Sequence, residues 1–232
     1  FVSADPALSV QLLRLANSAY YRETGRVDSL ARAVELVGGM VSGQISALLD
    51  ASLPAERELS AGFRGYMNKS WIRARVTAHL AGALAERAGL DADFASLCGL
   101  LHNLTALTLP LWGRHVPLLA ADPAKLERVV ARVEREAIGH MLAQWKLPAR
   151  LVEIVRDFSD MAANDTRVAP DVADVVATAR LIESSGGAAA FVEAGYEELP
   201  CVRRLGIGLA DLTSLTQASD NARGKLRQQL GL

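Results

Sequence analysis

The feature that most constrains the fold of this chain is an unbroken stripe of mostly small apolar residues at helical spacing. Its members are Trp71, Ala74, Ala78, Ala81, Ala85 and Ala88. They lie alternately three and four residues apart, which places them on one face of an α-helix, and small side chains there let a second helix approach closely. The same spacing recurs through most of the chain, and no segment alternates as a strand between hairpin turns. We therefore predict an all-α fold.

Capping residues, prolines and glycines indicate where the helices begin and end. The predicted starts are Asp5-Pro6, Ser29, residue 40, Asp91 or Asp93, Asp122-Pro123, Pro148 and Pro170. Except for residue 40, each has either a side chain that can cap a helix or a proline suited to a first turn. Gly89 is typical of the residue that ends a helix. Loops are predicted at residues 164–169 and at 184–190, the latter rich in Gly and Ala.

Domain organisation is predicted from the break between the early helices and the long stripe. We place a boundary around residues 52–60, which divides a single folded unit into an N-terminal helical lobe (1–55) and a larger C-terminal lobe (56–232). The chain opens with Phe1 rather than Met, so we expect a processed or truncated chain, and whether domains precede it stays open.

Charge and hydropathy exclude several classes of protein. The 25 basic and 26 acidic residues leave a net charge of -1, which gives no field that would concentrate a nucleic-acid polymer. Half of the residues are hydrophobic, enough for a real core, yet no apolar run reaches the roughly 20 residues of a membrane span. No basic-then-apolar segment opens the chain. We expect a cytoplasmic protein without a membrane partner.

His102 and Asn103 form the most informative polar pair, because they stand near the middle of a predicted apolar helix. Burying such groups without partners would be costly. Cys98 lies one turn earlier on the same face, but a Cys–His nucleophilic pair needs a third group to orient the base, and the sequence supplies none. Cys98 and Cys201 suit neither a disulfide framework nor a CxxC metal pair. We expect both to be buried thiols.

Several segments resemble signatures of the HDOD domain family. Residues 5–21 (DPALSVQLLRLANSAYY) are similar to its opening motif, and residues 27–38 (VDSLARAVELVG) to the segment that follows. Trp71 opens what resembles the next signature helix. Residues 98–103 (CGLLHN) resemble a stretch that reads GLLHD in many members, and residues 144–148 (QWKLP) resemble a tryptophan–proline element.

This resemblance, which spans most of residues 5–182, implies a fold and a loss of activity. The implied fold is an HD-domain-like helical bundle with an N-terminal lobe packed on a larger C-terminal lobe. HDOD domains are similar to the HD metal-dependent phosphohydrolases, have generally lost the catalytic set and occur in bacterial signalling proteins. The His-Asp pair of that superfamily reads His102-Asn103 here, and a neutral amide poorly replaces a carboxylate at a divalent metal.

Other positions of the implied site have also changed. Arg73 stands where a family histidine sometimes follows the tryptophan, and it would repel a metal. The residues 157–159 replace histidines often found after the Leu-Pro helix. We expect no catalytic residue, no metal and no cofactor. Arg73, Cys98 and Asp157 are the expected pocket neighbours of the vestigial pair.

The resemblance favours a non-catalytic signal-transduction module that acts on a protein partner or on an adjacent domain of EAL, GGDEF or receiver type. Two alternatives stay open. One is a residual phosphohydrolase that recruits acidic groups such as Asp157 to a metal. The other is a pocket that has kept affinity for a nucleotide such as a cyclic dinucleotide, which we do not expect.

Overall fold

The computed structural model describes residues 9–10, 12–13, 16–17, 27–29, 31–33, 60–113, 115–116, 119, 122–144, 147–164 and 166–229. Every regular element in these ranges is helical, so the predicted all-α fold is confirmed. From Ser60 onward the helices are α1 (Ala61–Arg87), α2 (Ala92–Leu101), α3 (Leu104–Gly113), α4 (Pro123–Gln144), α5 (Ala149–Ala163), α6 (Val172–Ser185), α7 (Ala188–Glu193), α8 (Pro200–Leu205) and α9 (Leu209–Gln229). A 3-10 turn, Tyr196–Glu198, precedes α8. None of the described helices is long and apolar enough to cross a bilayer.

The predicted apolar stripe lies on α1, which begins ten residues before Trp71. Ala74, Ala81 and Ala85 are fully buried. The helix ends at Arg87 and is followed, as predicted, by Gly89, whose φ of +68° is the left-handed conformation that glycine adopts without strain. The amide of Leu90 donates to the Ala85 carbonyl at 2.8 Å and closes this C-terminal motif.

The predicted helix around His102 is in fact two helices, because α2 ends at Leu101 and α3 begins at Leu104. The prediction that His102 stands near the middle of a helix is therefore wrong. His102 is the C-cap of α2, and its amide still donates to the Cys98 carbonyl at 3.0 Å. The apolar spacing runs across the break, since Leu101 and Leu104 are both buried. Periodicity alone consequently hides it.

Aspartates cap three helices at or next to the predicted positions. The Asp91 carboxylate accepts from the amide of Phe94 at 2.9 Å, and Asp122 accepts from the amide of Ala124 at 3.0 Å. The predicted start at Pro170 shifts to Asp171, which forms a capping box.

The predicted loop over 184–190 is mostly helical, because α6 runs to Ser185 and α7 begins at Ala188. Only Gly186 and Gly187, which have positive φ, break the helix there. Alanines 188–190 have a strong helix propensity, and α7 includes them.

Contacts divide the chain into two compact units. The first comprises Phe1–Trp71 and Asn103–Val152. Its described core is the cluster of Phe63, Ala106, Leu126 and Val130 from α1, α3 and α4. The boundary predicted over residues 52–60 falls, except for Ser60, outside the described residues, so the division into 1–55 and 56–232 stays a prediction.

The second unit comprises Ile72–His102 and Glu153–Leu232, and α6 is its central helix. Helix α6 contacts α2, α7, α8 and α9. Its buried residues are Val172, Ala173, Asp174, Val175, Val176, Ala177, Thr178, Ala179, Ile182 and Glu183. A helix buried on nearly all sides holds its few polar side chains in defined positions, which matters for the site described below.

An ion-pair cluster anchors the first turn of α6. Asp174 is fully buried, and its carboxylate accepts from the guanidinium of Arg204 at 2.5 and 3.0 Å and from Arg167 at 3.1 Å. The bond to Asp174 raises the pKa of Arg204. Each described partner of the Asp174 carboxylate donates a hydrogen bond to it. The hydrogen-bonding capacity of this buried group is therefore satisfied, and the cluster stabilises the fold.

Candidate functional site

The imidazole of His102 lies in the interior of the second unit with one ring nitrogen bonded. The residue is 2% exposed, and its Nδ1 lies 2.6 Å from the Gly99 carbonyl oxygen one turn back on α2. A carbonyl can only accept, so Nδ1 carries the proton and donates. Nε2 is then an acceptor, and it has no hydrogen-bond partner among the described residues.

The surroundings of His102 hold the imidazole neutral. Burial, the Arg180 guanidinium and, more weakly, the Arg73 guanidinium lower its pKa from 6.5 to about 3, against an opposing bond to Gly99. The ring of Phe158 packs edge-on at a centroid distance of 6.1 Å. An imidazole that cannot be protonated near neutral pH cannot act as a general acid there.

Asn103 is also buried, at 5% exposed, but it belongs to the first unit. Its side-chain amide donates to the carbonyl of Ser70 at 3.1 Å. His102 and Asn103 thus each have a backbone carbonyl as their described side-chain partner.

Arg73 is held by a carboxylate from a distant part of the chain. Its Nε donates to Oε2 of Glu183 at 3.1 Å, across 110 residues of sequence. The other oxygen of Glu183 accepts from Arg223 at 3.0 Å, and Arg223 also donates to the Glu183 carbonyl at 2.7 Å. The 7% exposed Glu183 side chain therefore joins two guanidinium groups.

A cavity of about 420 Å³ opens in the second unit beside these residues. Its lining residues are Arg73, Phe158, Ser159, Ala162, Ala163, Ala177, Arg180, Leu181, Glu183, Ser184, Leu199, Pro200 and Cys201. The guanidinium carbon of Arg180 lies 5.7 Å from the centroid of the Phe158 ring, within range of a cation–π contact. Burial raises the pKa of the Cys201 thiol, which makes it a poor nucleophile.

The residues expected around the vestigial pair occupy different places. Arg73 lines the cavity and acts electrostatically on His102. Cys98 is buried on α2 one turn before His102, and neither it nor Cys201 forms a disulfide. Asp157 accepts from its neighbour Arg156 at 2.8 Å and is absent from the cavity lining, where the adjacent Phe158 and Ser159 appear instead.

Sequence reasoning missed Arg180, Glu183 and Arg223. Arg180 and Glu183 stand three positions apart among apolar residues of α6, and that pattern could have identified them as polar groups on one face. The pairing of Glu183 with Arg73 and Arg223 has no sequence signal, because the partners come from three separate helices.

The residues around His102 do not fit a divalent metal. Such sites generally need at least three protein donors, and no cluster of three or more His, Cys, Asp or Glu suited to a metal occurs in the described part of the chain. Nε2 of His102 is a free acceptor, but two guanidinium groups act on the same ring. A dication there would meet positive charge rather than the carboxylates that offset it.

Comparison with known proteins places this site in a family context. The family model for the HDOD domain matches residues 1–161. An uncharacterized protein of Treponema pallidum (strain Nichols) is 28% identical over 215 residues, an alignment that covers 86% of this chain and 39% of the relative. The chain therefore spans about two fifths of the length of this curated relative. No solved structure matches significantly.

The family match covers well over half of the chain and includes α1, α2 and His102. HDOD domains are signalling-related, HD-like domains whose catalytic set is generally degenerate. The chain belongs to the HDOD domain family.

Proposed function

We propose that the chain is a non-catalytic signal-transduction module that acts by binding a protein partner or an adjacent domain. The observation that carries this proposal is the setting of His102. Its imidazole is buried and neutral, and the charged groups that lower its pKa are the guanidinium groups of Arg180 and Arg73. Positive charge at the vestigial position opposes both metal binding and the positioning of a metal-activated water.

The same setting argues against a residual phosphohydrolase. That alternative needs Asp157 as a recruited ligand, and the Asp157 carboxylate has a guanidinium partner in the adjacent Arg156. Glu183, the carboxylate paired with Arg73, already accepts from both Arg73 and Arg223. Recruiting Glu183 to a metal would break its ion pairs with Arg73 and Arg223, at a cost of several kcal/mol for a buried carboxylate.

An interaction role is consistent with the family and with the length of the relative. The Treponema pallidum protein is much longer than the aligned region, since the alignment covers 39% of it. We propose that the partner is a signalling domain of EAL, GGDEF or receiver type, in the same chain or in another. The domain would then act as a helical scaffold that transmits a signal rather than converting a substrate.

Metal binding and turnover, measured together, test the proposal. The purified chain is incubated with Mn²⁺, Fe²⁺ or Zn²⁺, its metal content is measured after desalting, and hydrolysis of bis(p-nitrophenyl) phosphate is followed. We expect substoichiometric metal and the same background rate in the wild type and in His102→Ala. Stoichiometric metal together with hydrolysis that His102→Ala abolishes would overturn the non-catalytic assignment.

A further inference from the structure

The cavity in the second unit has the size and composition of a small-molecule site. Its volume of about 420 Å³ falls within the roughly 300–1,000 Å³ typical of such sites. Its walls come from α1, α5, α6 and the start of α8. Because every lining residue belongs to the second unit, the cavity is a property of that unit alone.

The cavity lining has an excess of positive charge. It contains two guanidinium groups, Arg73 and Arg180, and one carboxylate, Glu183. That carboxylate also accepts from Arg223, which is not part of the lining, so it is shared between two cations. Burial and the guanidinium groups of Arg180 and Arg73 lower the pKa of the neighbouring His102.

Arg73 is oriented for a further hydrogen-bond acceptor. Glu183 holds it through Nε at 3.1 Å, whereas its two terminal nitrogens make no hydrogen bond to any described residue. The side chain is 36% exposed and lines the cavity. A guanidinium held at Nε presents its terminal N–H groups in a fixed direction, a geometry suited to carboxylate and phosphate oxygens.

The rest of the lining is largely apolar. Phe158, Leu181, Leu199 and Pro200 contribute the larger apolar surfaces, and alanines leave the space between them. Arg180 lies over the face of Phe158, so its charge stays at one side of an apolar wall. A ligand that fits must therefore present an anionic group at one end and an apolar body at the other.

We propose that this cavity binds a small organic anion that has one carboxylate or phosphate head group and an apolar body. The head group accepts hydrogen bonds from Arg73 within the field of Arg180, and the body packs against Phe158 and Leu181. This binding goes beyond the interaction role proposed above, because it assigns a small-molecule ligand to the module.

A set of matched probes tests this assignment on the wild-type chain by calorimetric titration. Phenylacetate and phenyl phosphate carry the two head groups on one apolar ring. Phenylacetamide has nearly the shape of phenylacetate without its charge, inorganic phosphate lacks the apolar body, and a cyclic dinucleotide has two phosphates. We expect saturable binding of phenylacetate or phenyl phosphate, roughly tenfold or more tighter than that of phenylacetamide or inorganic phosphate. The tighter of the first two identifies the head group.

Variants locate the binding in the cavity. Arg73→Gln should weaken binding of the preferred probe roughly tenfold to a hundredfold, because it removes a charge-assisted bond. Arg227→Gln, at an exposed position of α9, should leave it within about twofold. Ser159 is exposed and lines the cavity, so Ser159→Tyr should fill the space and block binding while thermal unfolding without probe stays unchanged.

Several results would overturn the assignment. These are no saturable binding of either organic anion, equal affinity for phenylacetamide and phenylacetate, equal losses in Arg73→Gln and Arg227→Gln, or tightest binding of the cyclic dinucleotide. The two proposals fail separately. Metal-dependent hydrolysis would overturn the non-catalytic role without changing phenylacetate affinity, and absence of probe binding would leave that role intact.

Discussion

His102 illustrates how the neighbours of a side chain decide its chemistry. Histidine is a residue type that can bind metals and transfer protons, but here Nδ1 donates to the Gly99 carbonyl and the ring packs against Phe158. Arg180 on α6 and Arg73 on α1 add positive charge. Sequence reasoning identified His102 as exceptional, yet its neutrality depends on arginines that are far from it in the chain.

The depressed pKa of His102 predicts a loss of stability in acid. The unfolded chain binds a proton at His102 near pH 6.5, whereas the folded chain does so only near pH 3. Stability attributable to His102 is therefore fully present above pH 6.5 and falls as the pH decreases towards 3. Between pH 7 and pH 5 this amounts to about 2 kcal/mol.

Urea unfolding at pH 7 and pH 5 measures this effect. His102→Gln retains a donor for the Gly99 carbonyl but does not titrate, so its stability should fall less between the two pH values, by about that amount. The carboxylates are the same in both proteins, so their contribution to the pH dependence of the unfolding free energy cancels in the comparison. Identical decreases in the wild type and in His102→Gln would show that the imidazole is not kept neutral by the fold.

At the scale of elements, the close approach of α1 and α2 follows from small residues on both helices. Ala74 and Ala78 of α1 form a buried cluster with Leu100 of α2. The helices are also close at Gly99, where a Cβ atom would lie 3.0 Å from the Cα of Ala78 and 3.0 Å from the Thr77 carbonyl oxygen. The alanine stripe predicted a neighbouring helix, but not which helix it would be.

The packing at Gly99 predicts opposite effects for two glycine-to-alanine substitutions. Gly99→Ala should destabilise the fold by about 1–3 kcal/mol, since the new methyl group meets backbone atoms that cannot move aside. Gly224→Ala, on α9, would meet no described atom within 4 Å and should stabilise by up to about 1 kcal/mol through helix propensity. Thermal unfolding of each variant measures its stability relative to the wild type. Stabilisation by Gly99→Ala would contradict the described contact between the helices.

At the scale of the whole molecule, the 25 basic and 26 acidic residues nearly cancel, so a positively charged region of this protein must be local. The cavity is lined by two arginines, Arg73 and Arg180, and one carboxylate, Glu183, although the chain as a whole is not basic. A local field of this kind can attract a small anion into a cleft, whereas a nucleic-acid backbone requires an extended basic surface.

We therefore predict that the chain does not bind duplex DNA. Fluorescence anisotropy of a labelled duplex should stay constant at protein concentrations up to about 10⁻⁵ M in physiological salt, within the range where non-specific binders associate. A basic DNA-binding protein serves as the positive control. Saturable binding that weakens steeply with added salt would reveal a basic surface that the net charge of -1 conceals.

Sequence by itself determined the helical class, many helix ends and the family, because these depend on local periodicity, capping groups and contiguous motifs. Asp91, Asp122 and Gly89 act where the pattern predicted, and the buried alanines face inward. Tertiary structure decided the break at His102 and Asn103, since apolar spacing continues across it. It also decided the cavity, whose charged groups Arg73 and Glu183 lie 110 residues apart and meet only when α1 and α6 pack in one unit.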